Sequence, residues 1–359
     1  MSHLFTPVQV GPVAVRNRAW VSPMCQYSCD RQDGIPTEWH HEHLAGFARG
    51  GAGLVMTEAT AVVAEGRISP QDAGIWNDAQ AAAWAPIAER IRAHGAVPAM
   101  QLAHAGRKAS TRRPWEGRDT VPEAEGGWQT VAPTTDAFGS FAAPRALTTA
   151  EVAQLPQAFA DAARRGVDAG FAAVEVHAAH GYLLHQFLSP LSNTRDDEYG
   201  ADASGLRTRL LVEVVAAVRA AVPEAALMVR LSASDWVEGG IDTAMTIEHV
   251  RAARDAGADW FDISSGGLDA RQQVAVGPGY QVPFAREVRE ATGVPLNAVG
   301  LIDVPALAEA ALTDGAADAV MLARPWLRNP HWALAAEATL DGVPEESVWP
   351  PQYVRARPR

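Results

Sequence analysis

Apolar runs and amphipathic segments alternate along this chain, and one punctuation separates them. A helix-like stretch ends in glycine, a few residues follow, and an apolar strand rich in β-branched residues begins. The pattern occurs at Gly53 before Leu-Val-Met-Thr-Glu-Ala and at Gly95 before Val-Pro-Ala-Met-Gln-Leu. It returns at Gly170 before Ala-Val-Glu-Val-His, Gly257 before Trp-Phe-Asp-Ile-Ser-Ser, Gly293 before Val-Pro-Leu-Asn-Ala-Val and Gly315 before Ala-Val-Met-Leu-Ala-Arg. With 19–22 and 227–232 these predict eight strands. The segments between them repeat at helical spacing, as in Leu206, Leu210, Leu211, Val214, Val215 and Val218, or Val304, Leu307, Ala308, Ala311 and Leu312.

Eight strand and helix units predict the α/β class, a single (β/α)8 TIM-barrel domain spanning 1–359. A doubly wound sheet is the alternative, but no Gly-x-Gly-x-x-Gly follows a strand. Residues 8–18 read as an N-terminal hairpin around Gly11-Pro12. The stretch 106–148, rich in Pro, Gly, Thr and Trp, interrupts the rhythm after the third strand. A connector of that length is expected to cap one mouth of the barrel.

Composition narrows the picture. Of 359 residues, 48% are hydrophobic and 20% charged, which fits a folded globular chain. A net charge of −12 argues against nucleic acid or an anionic membrane as general partners. Cys25 and Cys29 are too few for a disulfide framework. No basic run followed by an apolar segment opens the chain, and no apolar stretch is long enough for a bilayer, so a cytoplasmic protein is expected.

In a barrel of this kind chemistry gathers where strands end. The first gives Ser22-Pro23-Met24-Cys25-Gln26-Tyr27, the second Glu58-Ala59-Thr60, and the third Gln101 followed by His104, Arg107 and Lys108. The fourth gives His177, His180 and Tyr182, and the fifth carries Arg230. Small residues at Gly266, Gly267 and Gly300, with Ala323-Arg324, suit a phosphate: backbone N–H groups approach closely and the arginine pairs with the anion. Gln101, Arg230 and His177 would line a planar ring system, so a mononucleotide-like cofactor is expected.

Several long motifs in order carry a resemblance. They are Ser-Pro-Met-Cys-Gln-Tyr (22–27), Trp-His-His-Glu-His-Leu (39–44), Glu-Ala-Thr-Ala (58–61) and Gln-Leu-Ala-His-Ala-Gly-Arg-Lys (101–108). To these add His-Ala-Ala-His-Gly-Tyr-Leu-Leu-His-Gln-Phe-Leu-Ser-Pro (177–190) and Asn-Thr-Arg-Asp-Asp-Glu-Tyr-Gly (193–200). The chain resembles the old yellow enzyme family of flavin-dependent ene-reductases, in the bacterial subclass with a cysteine near the flavin.

The resemblance implies non-covalent FMN, with NADPH or NADH as electron donor. Ser22, Pro23, Met24, Cys25 and Ala59 would pack on the flavin, Gln101 would bond its pyrimidine edge, and Arg230 would face the negative charge of the reduced ring. Gly266, Gly300, Ala323 and Arg324 would complete the cofactor site. His177 and His180, joined by Tyr27, would bind the carbonyl oxygen of an enone-type substrate, and Tyr182 would protonate Cα after hydride transfer. Cys25 would tune the flavin, and Lys108 would assist substrate or nicotinamide phosphate. Nitro compounds and nitroesters are further substrates of the class. A homo-oligomer, dimer or tetramer, is implied, with Arg355 of the 352–355 tail resembling a segment that reaches a neighbouring site. The family usually reads Gly-Ser-x-x-Asn-Arg after Tyr-Gly; here 201–207 is longer and lacks the Asn, and altered loop packing is expected.

Two other classes stand beside this. His177 and His180 could be two of three zinc ligands with His185 in a hydrolase or lyase, although no metal is assigned. A non-catalytic flavin-binding redox protein is the other. His40, His41 and His43 are read as decorating the first helix, with no role.

Overall fold

The computed structural model describes residues 2–344 and 347–358. Strands β1 (Val8–Val10) and β2 (Val13–Val15) form the antiparallel hairpin, turning at Gly11 with φ +52°. The strands that follow are β3 (Ala19–Val21), β4 (Leu54–Ala61), β5 (Val97–Ala103), β6 (Val131–Ala132), β7 (Arg145–Ala146) and β8 (Ala173–Ala178). After them come β9 (Ala226–Ser232), β10 (Trp260–Ser264), β11 (Leu296–Ala298) and β12 (Ala319–Leu322). Eight of these, β3, β4, β5, β8, β9, β10, β11 and β12, close in that order into a parallel barrel. They are the six strands the glycine rhythm marks together with the two expected at 19–22 and 227–232, so the barrel is borne out and the doubly wound sheet is excluded.

Period-two alternation builds the interior in layers. Trp20, Met56, Ala99, Ala173, Met228, Trp260 and Met321 form one apolar cluster with Val10 and Val15 of the hairpin, which plugs that end. The Trp20 and Trp260 rings lie 5.0 Å apart. Residues of the opposite parity, such as Val55, Met100, Val174, Leu227 and Phe261, join the helices in the main core. Two residues further along the inward face, the apolar layer gives way to Gln101, Glu175, Arg230 and Asp262. The strand register sets Gln101 against Glu175, His177 against Arg230, and Arg230 against Asp262.

Two helical expectations shift. Leu206 lies outside the helix Arg209–Ala221, in a turn where Asp202 Oδ1 accepts its N–H at 3.0 Å and the Ser204 N–H at 2.8 Å. That exposed turn is how the divergent 201–207 segment packs, with Arg207 Nε on the Asn193 carbonyl at 2.9 Å. Val304 caps the helix Pro305–Thr313 and is exposed rather than buried. The stretch 106–148 is better ordered than a plain loop. β6 and β7 pair in parallel within it, and Arg107 anchors it to the Leu268 and Asp136 carbonyls. Among the described residues no helix is long and apolar enough to cross a membrane.

Candidate active site

The loop after β3 is held by a carboxylate from the next strand. Glu58 Oε2 accepts the Gln26 N–H at 3.0 Å, and Glu58 Oε1 lies 2.9 Å from His40 Nε2, both side chains being buried. The other His40 nitrogen accepts the Thr37 N–H at 2.9 Å and so caps its own helix, Glu38–Arg49. His40 therefore has a structural part, where the sequence reading gave it none. Beyond Gln26, Tyr27 takes φ +52° and turns its ring toward Trp115 of the 106–148 stretch, 5.9 Å away.

Cys25 is half-buried, and its sulfur contacts the Ala59 N–H and the Tyr27 hydroxyl. Burial, then the charges of Asp72 and Glu58, hold the thiol well above its ordinary pKa, so it stays protonated and is no nucleophile. Met24 packs against the main core and Ala59 is buried beside the sulfur. Ser22 Oγ accepts from Arg230 Nη2 at 3.3 Å, and Pro23 lies between Ser22 and Met24.

The end of β8 brings two histidines and a tyrosine together. The His177 ring meets His180 at 5.2 Å and Tyr182 at 5.0 Å, both edge to face. His177 Nδ1 accepts the Ala179 N–H at 3.4 Å, which leaves Nε2 as the N–H donor. Burial first, then Arg230, keeps both histidines neutral by pushing their pKa values well below 6.5. Tyr182 is pushed the other way, by burial and then Cys25, and keeps its phenol proton.

His180 adopts φ +58°, a conformation that costs a non-glycine residue energy, and three contacts hold it. Its N–H donates to Ser232 Oγ at 3.0 Å, its Nε2 lies 2.7 Å from Ser264 Oγ, and its carbonyl accepts from Lys108 Nζ at 2.8 Å. Gly181 packs so closely on this region that a Cβ there would sit 2.1 Å from the Gly267 carbonyl. Lys108 Nζ donates to that same carbonyl at 2.9 Å. Lys108, read from sequence as a substrate-binding group, has its ammonium engaged by two backbone carbonyls that join the loops after β8 and β10.

The zinc trio is not assembled. His185 Nε2 lies 2.9 Å from Asp235, and His185 Nδ1 accepts the Gly181 N–H at 2.8 Å, so neither ring nitrogen is available. Beneath the histidines, Gln101 Nε2 donates to Glu175 Oε1 at 2.7 Å, and Arg230 Nε lies 2.8 Å from Asp262 Oδ2. Sequence reasoning missed Glu175 and Asp262. The available signal was ionised residues at inward positions of otherwise apolar strands.

On the far side of the mouth, Gly300 takes φ +114° against Gln281 and Tyr280, and Arg324 is exposed nearby with its charge felt by Tyr280. Ala323 opens the short helix Arg324–Arg328. Gly266 differs from the others, since its N–H already donates to the Ser234 carbonyl at 2.7 Å. Arg328 pairs with Asp303 at 2.8 Å and stands apart. Arg355, in the turn Pro351–Ala356, is exposed.

A neutral histidine pair, a protonated phenol and a fixed guanidinium meet at the end of the parallel barrel. The pattern defining the NADH:flavin oxidoreductase / NADH oxidase family matches residues 3–342, and the chain belongs to that family. It is an oxidoreductase of the old yellow enzyme type. An NADPH dehydrogenase of Geobacillus sp. (strain WCH70) is 41% identical over 353 residues, 98% of each chain. One of Listeria innocua serovar 6a is 41% identical over 357 residues, 99% of each. Among solved structures, morphinone reductase aligns with a TM-score of 0.78 at 29% identity, covering 97% of this chain and 93% of its own. An old yellow enzyme homologue from Zymomonas mobilis aligns at 0.77 and 28% identity over 99% of each.

Proposed function

We propose that the barrel mouth holds FMN non-covalently and that the enzyme uses NADPH or NADH to reduce the activated C=C bond of α,β-unsaturated carbonyl compounds. The observation that carries this reading is adjacency: Arg230 and His177 are register partners on neighbouring strands, and Tyr182 touches His177. The residues suit a flavin. Gln101 and Arg230 offer an amide and a cation to a heteroatom-rich ring edge, Ser22 to Cys25 with Ala59 supply a wall, and Gly300, Ala323 and Arg324 surround a place for a phosphate. Gly266 would contribute its close backbone rather than a free N–H. FMN, when bound, supplies the two-electron hydride chemistry that no side chain provides.

The chain's own residues do the rest. Neutral His177 and His180 donate hydrogen bonds to the substrate carbonyl and stabilise the charge that develops on its oxygen. Tyr27 closes the substrate side. Tyr182 delivers the proton to Cα, for which a phenol that resists ionisation is suited, since it arrives protonated at every working pH. Nitro compounds and nitroesters could receive a hydride in the same position.

Replacing Tyr182→Phe separates the steps. The rate of alkene reduction is expected to fall by roughly 10²–10⁴-fold, the usual worth of a positioned acid, while flavin reduction by NADPH stays near wild type. Stopped-flow measurement of the two half-reactions decides it, and equal loss in both would show the proton donor to be misassigned. Steady turnover of 2-cyclohexenone separates this reading from a flavin-binding protein without catalysis.

A further inference from the structure

Gln101 and Arg230 are each backed by a carboxylate that plays no part in the chemistry described so far. Glu175 and Asp262 are both wholly shielded from solvent. Their surroundings are unequal. Asp262 has Arg230 on one oxygen at 2.8 Å and Asn297 Nδ2 on the other at 2.7 Å. Glu175 has Gln101 on Oε1 at 2.7 Å, while its buried Oε2 has no hydrogen-bond partner. Two carboxylates thus share one guanidinium, leaving the cluster a charge of −1 when both are ionised and zero with one proton. In a low-dielectric interior that proton belongs on the less solvated member.

Resting on the flavin reading above, we propose that Glu175 is a proton-holding residue that positions Gln101 and takes up one proton from solvent when a hydride from the nicotinamide adds one negative charge at the mouth. The balance is simple. Two electrons and one hydrogen nucleus would leave the nicotinamide as hydride, the mouth would gain one negative charge, and a Glu175 that starts ionised, as it does above its own midpoint, would convert from carboxylate to carboxylic acid with one proton from solvent. Gln101 transmits the change. An ionised Glu175 only accepts, so it holds the Gln101 NH₂ toward itself and turns the Gln101 carbonyl to the ring. A protonated Glu175 donates to that carbonyl, and Gln101 then offers its NH₂ to a ring edge that has become negative.

Burial, followed by the Asp262 charge, pushes Glu175 up to about 8, opposed by Arg230 of β9 and Gln101 of β5. Those groups, with neutral His177 on its own strand, are what face it. Lys108, brought down to about 8 chiefly by burial, titrates over the same range above the mouth. A comparison between wild type and Glu175→Gln therefore isolates Glu175.

The test is the midpoint potential of the flavin in the holoenzyme, measured from about pH 6 to about pH 10, across the span the linkage requires. Each proton taken up by a two-electron couple adds about 30 mV per pH unit to the slope. Wild type is expected to show that extra slope setting in near pH 8, and Glu175→Gln to lack it. Equal slopes in the two proteins would overturn the proposal. Reduction-induced infrared difference spectra of wild type at about pH 9, above the Glu175 midpoint, give a reading that does not depend on the variant folding. A new protonated-carboxyl band supports the proposal, and its absence overturns it. A preparation that binds no flavin would overturn the flavin reading, and this inference with it, before any titration begins.

Discussion

Lys108 stands where three loops meet. Its ammonium ties the carbonyls of His180 and Gly267, lies 5.0 Å from the Tyr182 ring centroid and 4.6 Å from that of Phe138. It is therefore expected to act through His180, whose left-handed backbone it pins, rather than by touching substrate. Replacing Lys108→Met leaves two carbonyls without their charged donor, a loss of about 1.5–3 kcal/mol if fully expressed. The KM for an enone is expected to rise on the order of tenfold or more, with flavin content unchanged. Loss of flavin instead would move Lys108 from substrate positioning to cofactor binding. At the same scale, the sequence motifs put forward Cys25, Tyr27, His180 and Tyr182 just beyond strand ends, and His177, Gln101 and Arg230 within the strands as members of those motifs. Glu175 and Asp262 stayed hidden inside apolar strands. Glu175 lies 74 residues from its partner Gln101, and only the pairing of β5 with β8 brings the two together.

At the level of elements, the eight strands were legible because a strand buried on both faces must be apolar almost throughout, and six of them are announced by a glycine. The same continuity concealed which face is inward, since alternation is weak where both faces are covered. Register supplies that information, and with it the polar layer above Trp20 and Trp260. The stretch 106–148 was legible as a long Pro- and Gly-rich interruption. Its internal pairing was not, because strands as short as β6 and β7 carry no periodicity. Leu206 shows a local turn standing where the spacing suggested helix: its N–H and that of Ser204 both go to the Asp202 carboxylate. His40 was read by its helix alone, whereas its place is decided by Glu58 on the strand packed beneath.

Across the whole molecule, buried histidines set the response to acid. His104 and His249 are brought down to about 4 by burial, and His177 and His180 are also held well below 6.5. The unfolded chain binds these protons near pH 6.5 while the folded chain refuses them, so the unfolded state carries more protons and stability rises with pH through this window. Stability is therefore expected to fall as pH drops from about 6.5 toward about 4, each such histidine contributing at most about 1.4 kcal/mol per pH unit. Urea midpoints measured across that range check it, and a flat profile would contradict the neutral assignments on which carbonyl binding by His177 and His180 depends.

The central claim is that one barrel mouth joins a flavin to this acid and hydrogen-bonding set. Its most direct measurement is the visible spectrum of the purified protein, titrated anaerobically with NADPH and then with 2-cyclohexenone. The flavin bands are expected in the starting spectrum, to bleach with NADPH and to return in proportion to the enone added. A protein that stays colourless when supplied with FMN, or a reduced flavin that the enone leaves bleached, would contradict the account.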